Sequence, residues 1–123
     1  MNKEMIYNFT QHETIPYQKK FNIVDVPNQE YLKSLLTFDV LPDSDELEKR
    51  AILIADYATE IGAKQIMIGG ALYLMPYLID ELNKRNIISY FAFSKRVNKE
   101  MIVNDETVIK KSKFLMEGLI KNK

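Results

Sequence analysis

The sequence predicts an α/β domain with a small Rossmann-like parallel βαβ core and a C-terminal β-hairpin. Three observations carry this expectation. Short apolar runs alternate with stretches of helical periodicity up to about residue 93. Glycines stand where helix gives way to strand (Gly62) and strand to helix (Gly69-Gly70). The last third holds two strand-like runs around a polar turn. At 123 residues the chain has the size of one domain, 1–123.

The elements follow in order. Met5–Phe9 reads as a short strand that stops at Thr10-Gln11-His12. Phe21–Val26, ending at Pro27, reads as a second. Asn28 can cap a short helix over Tyr31–Leu36. A longer helix starts at Asp43 or Ser44, with Glu46 placed for a reciprocal capping contact and Asp45, Glu46 and Glu48 suiting the positive end of its dipole. Leu47, Ala51, Ile54, Ala55, Ala58 and Ile61 give it one apolar stripe, and Gly62 ends it. Lys64–Ile68 is expected as a buried parallel strand. A further helix buries Leu74, Met75, Leu78, Ile79 and Leu82, with Pro76 in its first turn, and ends near Asn86. Ile87–Phe93 is the next strand. Val97–Val103 and Thr107–Met116 then form the hairpin around Asn104-Asp105-Glu106.

Composition narrows the chemistry. Apolar residues make up 46% and charged ones 28%, which suits a folded core. Basic and acidic residues balance at 17 each, so no global field recruits duplex DNA or an acidic membrane. The absence of cysteine excludes disulfides, thiolate nucleophiles and cysteine metal sites, and a single histidine excludes a histidine-rich one. No cofactor is expected. The first residues lack the apolar run of a signal peptide, and no segment has the roughly 20 apolar residues of a membrane span. These features predict a cytoplasmic protein, and the richness in Lys, Ile and Asn fits an AT-rich bacterial or phage genome.

In an open parallel sheet, ligands bind outside the carboxyl ends of the strands. Three loops are expected there: Thr10-Gln11-His12, Gly69-Gly70-Ala71 and Ser94-Lys95-Arg96. The two glycines expose backbone and lead into a helix N-terminus, which suits an anion, or they form only a tight turn. Ser94, Lys95 and Arg96 supply a hydroxyl and two cations suited to phosphate, or a solvated loop. His12 is of the residue type suited to proton transfer, or is a surface histidine. Thr10 and Gln11 can donate hydrogen bonds to a ligand or cap the loop. Charge is uneven: Asp39–Glu60 holds seven acids and two bases, whereas Lys95–Lys123 holds eight bases and four acids. Asp25, Asp80 and Glu81 are carboxylates without a convincing partner spacing.

The stretch Asn8-Phe9-Thr10-Gln11-His12 after a first strand, followed by Thr14-Ile15-Pro16-Tyr17-Gln18, resembles the start of compact CRISPR-associated Rossmann-like (CARF-like) families. The patterns Leu35-Leu36-Thr37-Phe38, Ile68-Gly69-Gly70-Ala71 and Phe91–Arg96 also resemble a small bacterial and phage family. The first resemblance implies a homodimer whose strand ends form a two-fold pocket for a cyclic oligonucleotide second messenger in antiviral defence. It implies metal-independent ring-nuclease cleavage, in which the ligand's 2′-hydroxyl attacks the adjacent phosphate. His12 would then be the general acid or base. Lys95, Arg96 and the Gly69–Gly70 backbone would hold the phosphate, with Ser94 and Thr10 hydrogen-bonding. A non-catalytic sponge would use the same pocket. A protein-interaction module using Tyr73, Tyr77, Tyr90 or the hairpin edge, and an unrelated small-molecule enzyme, are the competing classes.

Overall fold

The structure, a computed structural model, describes residues 5–12, 21–104 and 107–123; over 95–104 and 107–115 it describes the backbone. Pro16 and the rest of the Thr14–Gln18 stretch, with Asp105 and Glu106 of the expected turn, lie outside the described residues. The elements are β1 (Ile6–Phe9), β2 (Ile23–Asp25), α1 (Gln29–Leu36), α2 (Ser44–Glu60), β3 (Gln65–Ile68), α3 (Met75–Lys84), β4 (Ile88–Asn104) and β5 (Thr107–Lys121). They form a five-stranded sheet in the order β2-β1-β3-β4-β5. The first four strands are parallel neighbours, and β5 returns antiparallel along β4. The expected Rossmann-like core with a C-terminal hairpin is therefore present.

Strand alternation divides the core. Phe9, Ile66 and Ile68 join the buried faces of all three helices in one large cluster. Ile6, Ile23, Met67 and Met116 form a smaller cluster with Tyr90 and Leu119 packed against it. The helix starts follow the sequence: Asn28 Oδ1 accepts from Tyr31 N at 3.1 Å, and Asp43 Oδ1 from Glu46 N at 2.9 Å. The Glu46 carboxylate pairs with Arg50 Nε at 2.8 Å.

The helix ends are built alike. Gly62 has φ +72°, with Gly62 N donating to Thr59 O and Ala63 N to Ala58 O. Asn86, at φ +58°, repeats the pattern, with Asn86 N donating to Asn83 O and Ile87 N to Leu82 O. Each left-handed residue satisfies the last carbonyls and turns the chain into a strand. Buried Ala63 and Ile87 follow directly and lead into β3 and β4.

Two arginines tie the helices together. Arg50 on α2 donates to the carbonyls of Ser34, Leu35 and Thr37 at 2.8–3.1 Å, and its guanidinium lies 4.7 Å from the Phe38 ring centre. It thereby meets the negative end of α1. Arg85, just past α3, binds Asp56 on α2 and Glu81 on α3, each at 2.8 Å.

Glu81 is buried, and the Arg85 hydrogen bond, helped by Lys84, holds its carboxyl below the ordinary value of 4.5 against the opposing effect of burial. A depressed carboxylate stabilises the fold above its unfolded value, and that contribution disappears as pH falls through the lower folded value. Glu81→Gln is therefore expected to cost roughly 1–3 kcal/mol at pH 7. In urea melts across pH, the gap between parent and variant should close below pH 4.5; a gap constant down to pH 2 would contradict this.

The largest correction concerns the chain after Phe93. The expected loop at Ser94-Lys95-Arg96 is continuous strand. These residues pair with Met116, Leu115 and Phe114, next to a register shift between Phe93 and Ser94. Strand β4 thus runs 17 residues, from the core to the hairpin turn, without a break. The reason lies in pairing: bonds to β5 on the other edge of β4 begin at Tyr90 and continue after pairing with β3 ends at Phe91.

Candidate functional site at the carboxyl edge of the sheet

The strand order places β1 between β2 and β3, so the chain's progression across the sheet reverses at β1. The ends of β1 and β3 are therefore the switch point at which a doubly wound sheet opens a crevice. Thr10–His12 and Gly69–Ala71 do leave the sheet there side by side.

Asn8 organises this corner. It is buried on β1, directly opposite Asp25 of β2. Its Nδ2 donates to His12 O at 2.6 Å and to Asp25 Oδ1 at 3.2 Å. Its Oδ1 accepts from Thr10 N at 3.1 Å and from the Thr10 hydroxyl at 2.6 Å. His12 N donates back to Thr10 Oγ1 at 3.3 Å. Gln11 Nε2 donates to Leu36 O at 3.1 Å, helping Arg50 to close the end of α1. The polar groups of Thr10 and Gln11, expected to meet a ligand, are thus committed to holding the loop.

A small cavity lies beside this corner, between β1, β2 and α1. The cavity lined by Asn8, Thr10, His12, Asp25, Gln29 and Lys33 has a volume of ≈ 10 Å³. That admits about one water molecule. His12 is exposed at the rim.

The glycine turn also differs from expectation. Gly70 takes φ +123°, so the turn itself requires glycine. A Cβ added at Gly69 would lie 3.4 Å from Thr10 Cγ2, showing how closely the two loops approach. The turn does not enter the helix directly. Leu74 N donates to Ala71 O and Met75 N to Leu72 O, and Pro76 has no N–H. Three donors expected to be free for an anion are thus absent or engaged, because a turn over residues 71–74 precedes α3.

The site residues fall into three groups. Thr10, Gln11, His12, Gly69, Gly70 and Ala71 meet at the switch point. Ser94 is exposed on β4, three residues past Phe91, the last to pair with β3, and Lys95 and Arg96 follow along the strand. Asp80 and Glu81 sit on α3 in ion pairs with Lys84, away from this edge. Among the described residues, no three His, Asp or Glu groups converge on a metal position. A depression of about 700 Å³ lies at the other end of the sheet, between Asn83, Ile87 and Asn122.

The sequence reading assigned no role to Asn8 or Arg50, and it missed the exposed apolar group on the helix side of this edge. Val40, Leu41 and Leu72 are 80–96% exposed, beside Tyr73, whose ring meets Phe38 edge-on at 5.6 Å. An asparagine inside an otherwise apolar strand was the available signal for Asn8.

The chain belongs to the uncharacterized protein MJ1673 family, whose model matches residues 4–118. No curated protein and no solved structure matches it.

Asn8→Ala leaves several loop groups without their partner and should destabilise by roughly 1–3 kcal/mol in denaturant melts; a loss below a few tenths would mean that Asn8 does not organise the loop. The two glycines should separate. Gly70→Ala is strained whatever surrounds it and should cost about 1 kcal/mol or more. Gly69→Ala makes only an ordinary contact and should stay within about 0.5 kcal/mol of the parent. Equal losses would refute this division.

Proposed function

We propose that this protein binds an anionic nucleotide, of the cyclic oligonucleotide class, on the carboxyl edge of its sheet, and that the ligand sits between two copies of the chain. The observation that carries the reading is the switch point: β1 and β3 bring the Thr10–His12 and Gly69–Ala71 loops to one edge, and the strand bearing Ser94, Lys95 and Arg96 rises beside them. The two-copy arrangement is the one that the resemblance of the Asn8–His12 stretch implies.

On this reading the Gly70 backbone and Ser94 meet the ligand and Arg96, two positions further along β4, neutralises its phosphates, while Lys95 takes the alternate strand position and adds charge to the same ribbon. Arg96 provides the geometry for two parallel bonds to one phosphate. Such a second messenger places the protein in the cytoplasm; among the described residues, no helix is long and apolar enough to cross a membrane. Binding is favoured over cleavage. The loop of His12 is fixed by its backbone bonds to Asn8 and Thr10, and a second acid–base group opposite the imidazole is needed to take a proton from a 2′-hydroxyl while another is delivered to the leaving oxygen.

A second reading, a protein-interaction module, is favoured by the exposure of Val40, Leu41 and Leu72, which no nucleotide phosphate requires.

The test is titration calorimetry of the purified chain with cyclic di-, tri-, tetra- and hexanucleotides, with chromatography of the ligand afterwards. The expected result is saturable binding of an intact ligand, weakened about tenfold or more by Arg96→Ala and by Lys95→Ala, and left measurable in His12→Ala. Linear products lost in His12→Ala would establish a nuclease instead. No binding across the panel would remove the nucleotide reading.

A further inference from the structure

The segment joining α1 to α2 carries Phe38, Asp39, Val40, Leu41 and Pro42, and Val40 and Leu41 leave most of their surface in water. A single exposed apolar side chain needs no explanation, but a contiguous group does. Here Leu72 and Tyr73, from the turn before α3, are exposed as well, and the Tyr73 ring meets Phe38 edge-on at 5.6 Å.

This platform is firmly held. The Arg50 guanidinium covers the other side of the segment, 4.7 Å from the Phe38 ring centre, and binds the last carbonyls of α1. Pro42 fixes its own φ directly before the α2 cap, where Asp43 Oδ1 accepts from Glu46 N. The apolar side chains are thus displayed from an ordered backbone, which lowers the cost of docking a partner on them.

Two depressions share Phe38–Pro42 as a common wall. One, of about 460 Å³, is mainly apolar, closed by Leu47 and Tyr73. The other, of about 380 Å³, is acidic, lined by Asp39, Asp43 and Glu46 with Arg50. Three carboxylates there face one guanidinium, and that guanidinium is already engaged by Glu46 and by three carbonyls. Asp39 makes no hydrogen bond or ion pair among the described residues. An apolar group alone would fill the first depression and leave the acids unanswered. A phosphate or an anionic lipid headgroup would meet those acids with like charge. A basic side chain next to an apolar one answers both, because the stem of Lys or Arg can lie along the apolar wall while its charge reaches the carboxylates.

We infer that this platform docks a basic, apolar peptide segment of another protein, with an apolar side chain against Leu47 and Tyr73 and a lysine or arginine against Asp39 and Asp43. The depressions lie side by side and open to water, which suits a segment laid across them better than a small molecule that needs enclosure. The inference rests on the protein-interaction reading and names the partner's chemistry. It uses none of the residues of the nucleotide reading.

The test is selection of a displayed library of random twelve-residue peptides on the full chain, followed by fluorescence anisotropy of the recovered peptides. Those peptides should pair a lysine or arginine with a large apolar residue. Their Kd should rise about tenfold or more in Val40→Ser/Leu41→Ser and in Asp39→Lys. Circular dichroism melts should stay near the parent's, since all three side chains are exposed. A recovered peptide with glutamate in place of its basic residue should bind Asp39→Lys more tightly than it binds the parent, a rescue that general destabilisation cannot produce. No enrichment over the bare support, enrichment of acidic peptides, or affinities indifferent to both variants overturns the proposal. So does a dimer at 100 µM that Val40→Ser/Leu41→Ser dissolves, which would assign the platform to a second copy. Binding to phosphatidylglycerol vesicles that the same variant loses would assign it to a lipid surface, with the same consequence. Failure of the nucleotide panel leaves this inference standing, and failure of the peptide selection leaves the nucleotide reading standing.

Discussion

The structure turns on the hydrogen bonds made by the amide of Asn8. A central strand of a parallel sheet buries both faces, and a polar side chain is tolerated there only when its hydrogen bonds are made. Asn8 meets that condition by gathering the parts of the carboxyl edge. It holds Asp25 on the neighbouring strand, folds the Thr10–His12 loop back on itself, and places the Thr10 methyl against the Gly69 turn. Between β1, β2 and α1 these bonds leave a cavity of only ≈ 10 Å³, about one water molecule.

Rigidity of the core and incompleteness of the hairpin belong together. Arg50 and Arg85 brace three helices into one layer, with helix-terminal carbonyls satisfied by side chains or by left-handed residues. The sheet narrows to two strands, and the balanced overall charge resolves into a basic ribbon and an acidic helix entrance. Segregated charge on a neutral chain favours a specific complementary contact over general attraction to polyanions.

Most of the fold was legible because it is written in local signals. Asn28 and Asp43 cap helices, Gly62 ends one, and the periodicity of Leu74–Leu82 marks the buried side of another. The site was less legible because the deciding interactions join residues distant in sequence. Nothing near Gln11 announces Leu36, and nothing near Arg50 announces the carbonyls of α1. The Ser94–Arg96 segment read as a loop because its composition is polar and charged, whereas strand pairing is set by the partner strand and tolerates such residues on an exposed ribbon. Gly70 illustrates a further limit: a glycine required by its own φ looks, in sequence, the same as one kept open for a ligand.

The central claim is that the carboxyl edge is completed by a second copy of the chain. Native mass spectrometry of the full chain with a cyclic tetranucleotide tests it most directly, since it counts chains and ligands in one particle. Two chains with one ligand is the predicted composition. A single chain carrying one ligand would contradict the claim.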